Sequence, residues 1–175
     1  MNEAPPAPSS ALKDFGPRFD PLPQSDTYIF TVVAFDFLKN YEQRDLTTGE
    51  MKVFDALQFF YGTKIGGKTY FLKPWPTKYS IHEKANYTKI YKAAVGTPPP
   101  AGSNPKDMLG KGITIEVENE EKTSKKGTKY TVSKPKSITG VHAKLRGEIV
   151  SLAELETAFK AALEAKDNDK DEAPY

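Results

Sequence analysis

From Thr27 to Leu38 the chain reads TYIFTVVAFDFL, β-branched or aromatic at most positions, and this composition predicts a strand. A polar run over 39–50, with Thr48-Gly49 as its turn signal, leads to a second strand from Met51 to about Tyr61. Glycines between 62 and 67 break the pattern again, and Lys68 to Trp75 reads as a third strand ended by Pro74 and Pro76. Ser80-Ile81-His82-Glu83 has the form of a capping box and predicts a helix running to about Val95, where Gly96 and Pro98-Pro99-Pro100 stop it. After a loop to Lys111, Ile113, Ile115 and Val117 alternate with polar residues and predict a strand. Its hairpin partner is 129–133, across a turn at 122–127. Ser151 and Glu154 form a second capping box before Leu152, Leu155, Phe159 and Leu163, whose spacing predicts an amphipathic helix over 152–165.

Three strands, a helix and two strands within 27–140 is the order of a five-stranded OB-like Greek-key barrel, with the helix between strands 3 and 4. The expected fold class is therefore mainly β, with an added C-terminal amphipathic helix. Six of the 14 prolines fall in the first 23 residues, so 1–26 is expected to be an extended arm, with Phe15 and Phe19 able to anchor it. Residues 141–166 would form a linker and the helix, and 167–175 a tail.

Composition removes several kinds of chemistry. The 175 residues contain no cysteine, which excludes disulfides, thiolate catalysis and cysteine-based metal centres, and His82 and His142 lie too far apart in sequence to suggest a metal motif. The first residues lack the basic and apolar regions of a signal peptide, and no apolar run is long enough for a transmembrane helix, so a cytoplasmic protein is expected. The segment Gly62-Thr63-Lys64-Ile65-Gly66-Gly67-Lys68-Thr69 fits the Walker A pattern, but a strand-like, proline-ended run follows it where a phosphate-binding loop needs a helix. A glycine-rich hairpin turn is the better reading. Asp36, an acid inside an apolar strand, stands in no catalytic context, and no enzyme is expected.

Charge changes the picture more than any motif. Net charge is only +2, yet 59–92 holds nine aromatic residues and seven lysines against the single acid Glu83. Rings interleaved with cations suit a sequence-tolerant single-strand site, because rings stack bases while lysines neutralise phosphates. Trp75 and Phe71 share a strand face with Lys73 and are the first stacking candidates; Tyr41, Arg44 and Tyr79 come next. Lys64, Lys68 and Lys78 would serve the backbone, together with Lys126 and Lys129 on the later hairpin. Many of these rings could equally be core. The tail carries four acids and one lysine, leaving +5 on residues 1–166. Such a tail can compete for a basic groove and present Asp169, Asp171, Glu172, Pro174 and Tyr175 to a partner.

The strand order, the aromatic and basic middle, Leu109-Gly110-Lys111 before an Ile-Thr-Ile-Glu-Val strand, and an acidic tail ending in an aromatic residue together resemble bacteriophage single-stranded DNA-binding proteins. The tail departs from the bacterial pattern by ending Ala-Pro-Tyr in place of Ile-Pro-Phe, and a helix stands where a Gly/Gln-rich linker would be. The resemblance implies a non-enzymatic, cofactor-free protein that protects or organises single-stranded DNA in replication or recombination, in the host cytoplasm. Its tail would recruit replication or recombination proteins. The four apolar positions of the 152–165 helix allow it either to pack on the barrel or to pair with another subunit in a homo-oligomer. The rival expectation is a phage structural or assembly protein whose barrel and arms bind protein.

Overall fold

The computed structural model describes residues 19–168. Six antiparallel strands form one sheet: β1 (Asp26–Arg44), β2 (Met51–Ile65), β3 (Lys68–Leu72), β4 (Thr77–Lys78), β5 (Gly112–Thr123) and β6 (Lys129–Thr139). The order is β3-β2-β1-β5-β6, with β4 returning to pair with β2. Helix α1 (Asn86–Val95) stands between β4 and β5, and α2 (Leu152–Asn168) follows β6. The expected class holds: a mainly β, nearly closed antiparallel barrel in OB-like order, with a helix in the third crossover and another at the C-terminal side.

Strand alternation builds two separate apolar layers. Inside the barrel, Phe30 and Val32 of β1 meet Leu57, Phe59 and Tyr61 of β2, Leu72 of β3, and Ile113, Ile115 and Val117 of β5. Tyr87, Ile90 and Tyr91 of α1 complete that core. The residues between them point outward, and Val33, Phe60 and Phe71 form a second cluster with Leu155 and Phe159 of α2. The β2–β3 connection is a two-residue Gly66-Gly67 turn with φ of 57° and 83°, the left-handed geometry a tight hairpin requires. The Walker-like segment is therefore a hairpin, as its flanks predicted.

Several boundaries move. β1 continues past Leu38 to Arg44, and β1 and β2 extend as a long hairpin whose turn is confined to 45–50. A register shift between Leu38 and Tyr41 places Asn40 at φ 54° and turns Tyr41 inward against Phe54. Helix α1 begins at Asn86, later than the Ser80–Glu83 box predicts. Ser80 Oγ instead accepts from the His82 amide at 3.3 Å, and His82 Nδ1 accepts from the Lys84 amide at 3.2 Å, so the predicted cap Ser80 is spent on a turn. Ser151 does cap α2, accepting from the Glu154 amide at 3.4 Å.

Within the expected arm, residues 19–22 pack on the barrel. Leu22 is a core residue; its amide donates to Ser133 Oγ at 2.8 Å, and its carbonyl accepts from Asn119 Nδ2 at 2.8 Å. Asp20 pairs with Lys68 at 3.2 Å. Among the described residues no ladder joins β3 to β6, and the segment 19–22 lies along that seam.

Gly62 carries a specific packing demand. A Cβ there would lie 2.9 Å from Val33 Cγ2 and 3.0 Å from the Phe71 ring, so Gly62→Ala should cost about 1–3 kcal/mol of stability by overpacking. Chemical denaturation measures this: the midpoint should fall at unchanged slope, whereas an unchanged midpoint would contradict the close packing.

Candidate nucleic-acid interface

The seam between β3 and β6 opens outward as a cleft of about 430 Å³. Lys73, Pro74 and Trp75 form one wall and Tyr130 to Pro135 the other, with Lys122 beside Tyr130 as its cross-strand partner. Phe19, Asp20 and Pro21 lie along its length, and Gln58, Phe71 and Leu72 complete the lining.

The first wall is set by proline and by one glutamine. Pro74 has no amide hydrogen, so regular pairing of β3 with β2 stops at Leu72 and resumes only at Thr77 on β4. Across the gap, buried Gln58 donates from Nε2 to the Pro74 carbonyl at 2.7 Å and to the Phe59 carbonyl at 3.0 Å. The first of these bonds ties the 73–75 backbone to β2, and the second orients the Gln58 amide. Trp75 is 68 % exposed, an uncommon position for the chain's single tryptophan. Lys73 is half-buried; burial lowers its ammonium below the ordinary lysine range, and the nearby Asp36 carboxylate opposes that shift.

The second wall belongs to the β5–β6 hairpin, whose turn holds Lys125 and Lys126 in exposed positions. Part of its charge is internally matched: Lys134 lies 2.6 Å from Glu120, and Lys129 lies 4.0 Å from Glu121. The Glu120 partner raises the Lys134 ammonium above its usual range, and the same pair lowers Glu120. Both side chains are solvent-exposed, so the pair is exchangeable at small cost.

Of the residues expected at a site, the structure brings Lys73, Trp75 and Phe71 to one cleft but gives Phe71 a different role. Its ring is buried against Phe19, with centroids 5.5 Å apart, and against Phe159 at 5.3 Å, so it cannot stack a base in this conformation. Tyr41 is 2 % exposed and packs edge-on to Phe54, which removes it from the candidates too. Tyr79 is half-buried between Phe37 and Tyr87 and donates its hydroxyl to the Ser103 carbonyl at 3.1 Å, a structural position. Arg44 sits at the β1–β2 hairpin end and donates to the Gly49 carbonyl at 3.0 Å. Lys64 pairs with Glu154 at 2.7 Å and Lys68 with Asp20, both on the β2–β3 hairpin. Lys78 lies over the Phe54 ring and lines a separate hollow with Ser80, His82 and Lys84. Lys126 lies in the β5–β6 turn and Lys129 opens β6, and neither lines the cleft. The tail residues Asp169, Asp171, Glu172, Pro174 and Tyr175 lie outside the described residues.

Tyr130 and Lys134 are the cleft residues that sequence reasoning missed. The signal was present in the OB order itself, which brings the last strand to the free edge of the third. Comparison with protein-family models, curated proteins and solved structures finds no match. Among the described residues, no helix is long and apolar enough to cross a membrane, and no three His, Cys, Asp or Glu side chains cluster as a metal site.

Proposed function

We propose that this protein binds single-stranded DNA without enzymatic activity and with little sequence preference, protecting or organising it in phage-type replication or recombination. One observation carries the reading: the β3–β6 cleft gathers an exposed Trp75 and a half-buried Tyr130 with Lys73, Lys122 and Lys134, beside the strand face and hairpin loop that OB barrels use for oligonucleotides. Rings of this kind accept any base, and flexible lysines accept the backbone as point charges, so the chemistry favours strand recognition over sequence recognition. The acidic tail would compete for the cleft and recruit replication or recombination proteins.

A second reading is supported by the β1–β2 hairpin, where Leu46 is 98 % exposed and Met51 and Val53 are about half exposed. Apolar residues on a projecting hairpin suit a protein contact, as in a phage assembly protein or a homo-oligomer. Titration of fluorescein-labelled oligo-dT at several salt concentrations separates the two. DNA binding that weakens with salt supports the first reading, and no binding at low salt supports the second.

A further inference from the structure

We infer that α2 and Phe19 are a displaceable cover over the outer face of β1–β3, which a DNA strand longer than the cleft lifts to stack on Phe60 and Phe71. The inference rests on the proposed DNA-binding reading and extends its site.

The covered surface is continuous with the cleft, because Phe71 both lines the cleft and lies beneath α2. Phe60 and Phe71 stand on the neighbouring strands β2 and β3, as a pair of sheet-borne rings. Over them lie Phe159, 5.1 Å from Phe60 and 5.3 Å from Phe71 between centroids, and Phe19, 6.3 Å and 5.5 Å away. Rings on the covering elements thus occupy the places that bases would take on a stacking platform.

The cover also brings carboxylates to lysines. Glu154 of α2 lies 2.7 Å from Lys64, and Asp20, next to Phe19, lies 3.2 Å from Lys68. Both lysines belong to the β2–β3 hairpin, so each acid stands where a phosphate of an extended strand would neutralise the same ammonium. All four side chains are well exposed, and exchange of one anion for another carries little cost.

Leu155 and Phe159 are the helix's buried side chains among those described, with Leu152, Ala158, Ala162 and Leu163 part-buried around them, and their cluster is separate from the barrel core. The Thr31 hydroxyl adds one bond, donating to the Val150 carbonyl at 2.6 Å just before the helix. The barrel core contains no residue of α2, so the helix can leave while the barrel stays closed. Satellite units of this kind open at free energies below that of global unfolding.

The chain contains no cysteine, so Lys64→Cys with Glu154→Cys in the full-length protein gives a unique pair for a short bis-maleimide tether. Affinity for oligo-dT of about 5 and about 16 nucleotides, the range covered by one OB barrel, is measured for the tethered and untethered double variant. Hydrogen exchange of the amides of 152–163 is followed in the unmodified protein. Tethering should leave the short oligomer's affinity unchanged and weaken the long one at least tenfold, and the long oligomer should lower protection across α2. Equal affinity of tethered and untethered protein for the long oligomer would overturn the cover. So would an equal loss for both lengths, or unchanged or increased protection of α2. Failure of every form to bind the short oligomer would instead overturn the DNA-binding reading and the cover with it.

Discussion

Phe71→Ala should destabilise the protein by about 3–5 kcal/mol, a large share of the 5–15 kcal/mol that holds a typical domain together. The ring is 6 % exposed, packs against the rings of Phe19 and Phe159, and shares their cluster with Phe60. Its removal leaves a cavity that no single neighbour can fill, because those rings come from the arm, β2 and α2. The same substitution should loosen α2, so hydrogen exchange across 152–163 should rise more than exchange in β5. Thermal and urea unfolding measure the first effect. A loss below 1 kcal/mol would mean that Phe71 is not packed as described.

Trp75→Ala should behave in the opposite way. Its side chain is two-thirds exposed, so melting should change little, while affinity for oligo-dT should fall by about 1–3 kcal/mol, roughly five- to 150-fold, for loss of one stacked base. Trp75→Phe should recover much of the loss, because the smaller ring still stacks. A merely structural role would show the reverse split, with stability lost and affinity retained. The contrast with Phe71 is informative because the two residues lie on the same face of one extended segment.

That contrast also marks where the sequence ceased to be a guide. Alternation at Ile113, Ile115 and Val117, the Ser151 cap, the Gly66-Gly67 turn and the Gly96 stop are local signals, and each lies where it was read. Together they were enough for the barrel and its strand order. Burial of Phe71 depends on α2, which returns from a distant part of the chain to cover one end of β3, whereas Trp75 stays largely exposed. No local pattern separates those two rings. Tyr41 was misread for a related reason: the β1–β2 hairpin projects as a two-stranded ribbon with polar residues on both faces, so its strands lack clean alternation. The bulge at Asn40, which turns Tyr41 inward, leaves no mark in composition.

The lysines divide along the same line. Their clustering in 59–92 was legible, but their destinations were not. Lys64 and Lys68 meet acids from α2 and the arm, whereas Lys73 joins Lys122 and Lys134 across the seam. The electrostatic footprint therefore spans two strands far apart in sequence, and local charge counts describe only half of it.

The proposed single-strand binding at this cleft works through an exposed Trp75, a half-buried Tyr130 and backbone-neutralising lysines. Its most direct test is a titration with oligo-dT that follows Trp75 fluorescence from about 50 to about 200 mM salt. If two to four lysines neutralise phosphates, the logarithmic salt slope should be about −1.4 to −2.8, so affinity should fall roughly seven- to fiftyfold over that range. Trp75 emission should be quenched at each salt concentration as the site fills. Absence of binding at the lowest salt, or binding that neither quenches Trp75 nor weakens with salt, would contradict the account.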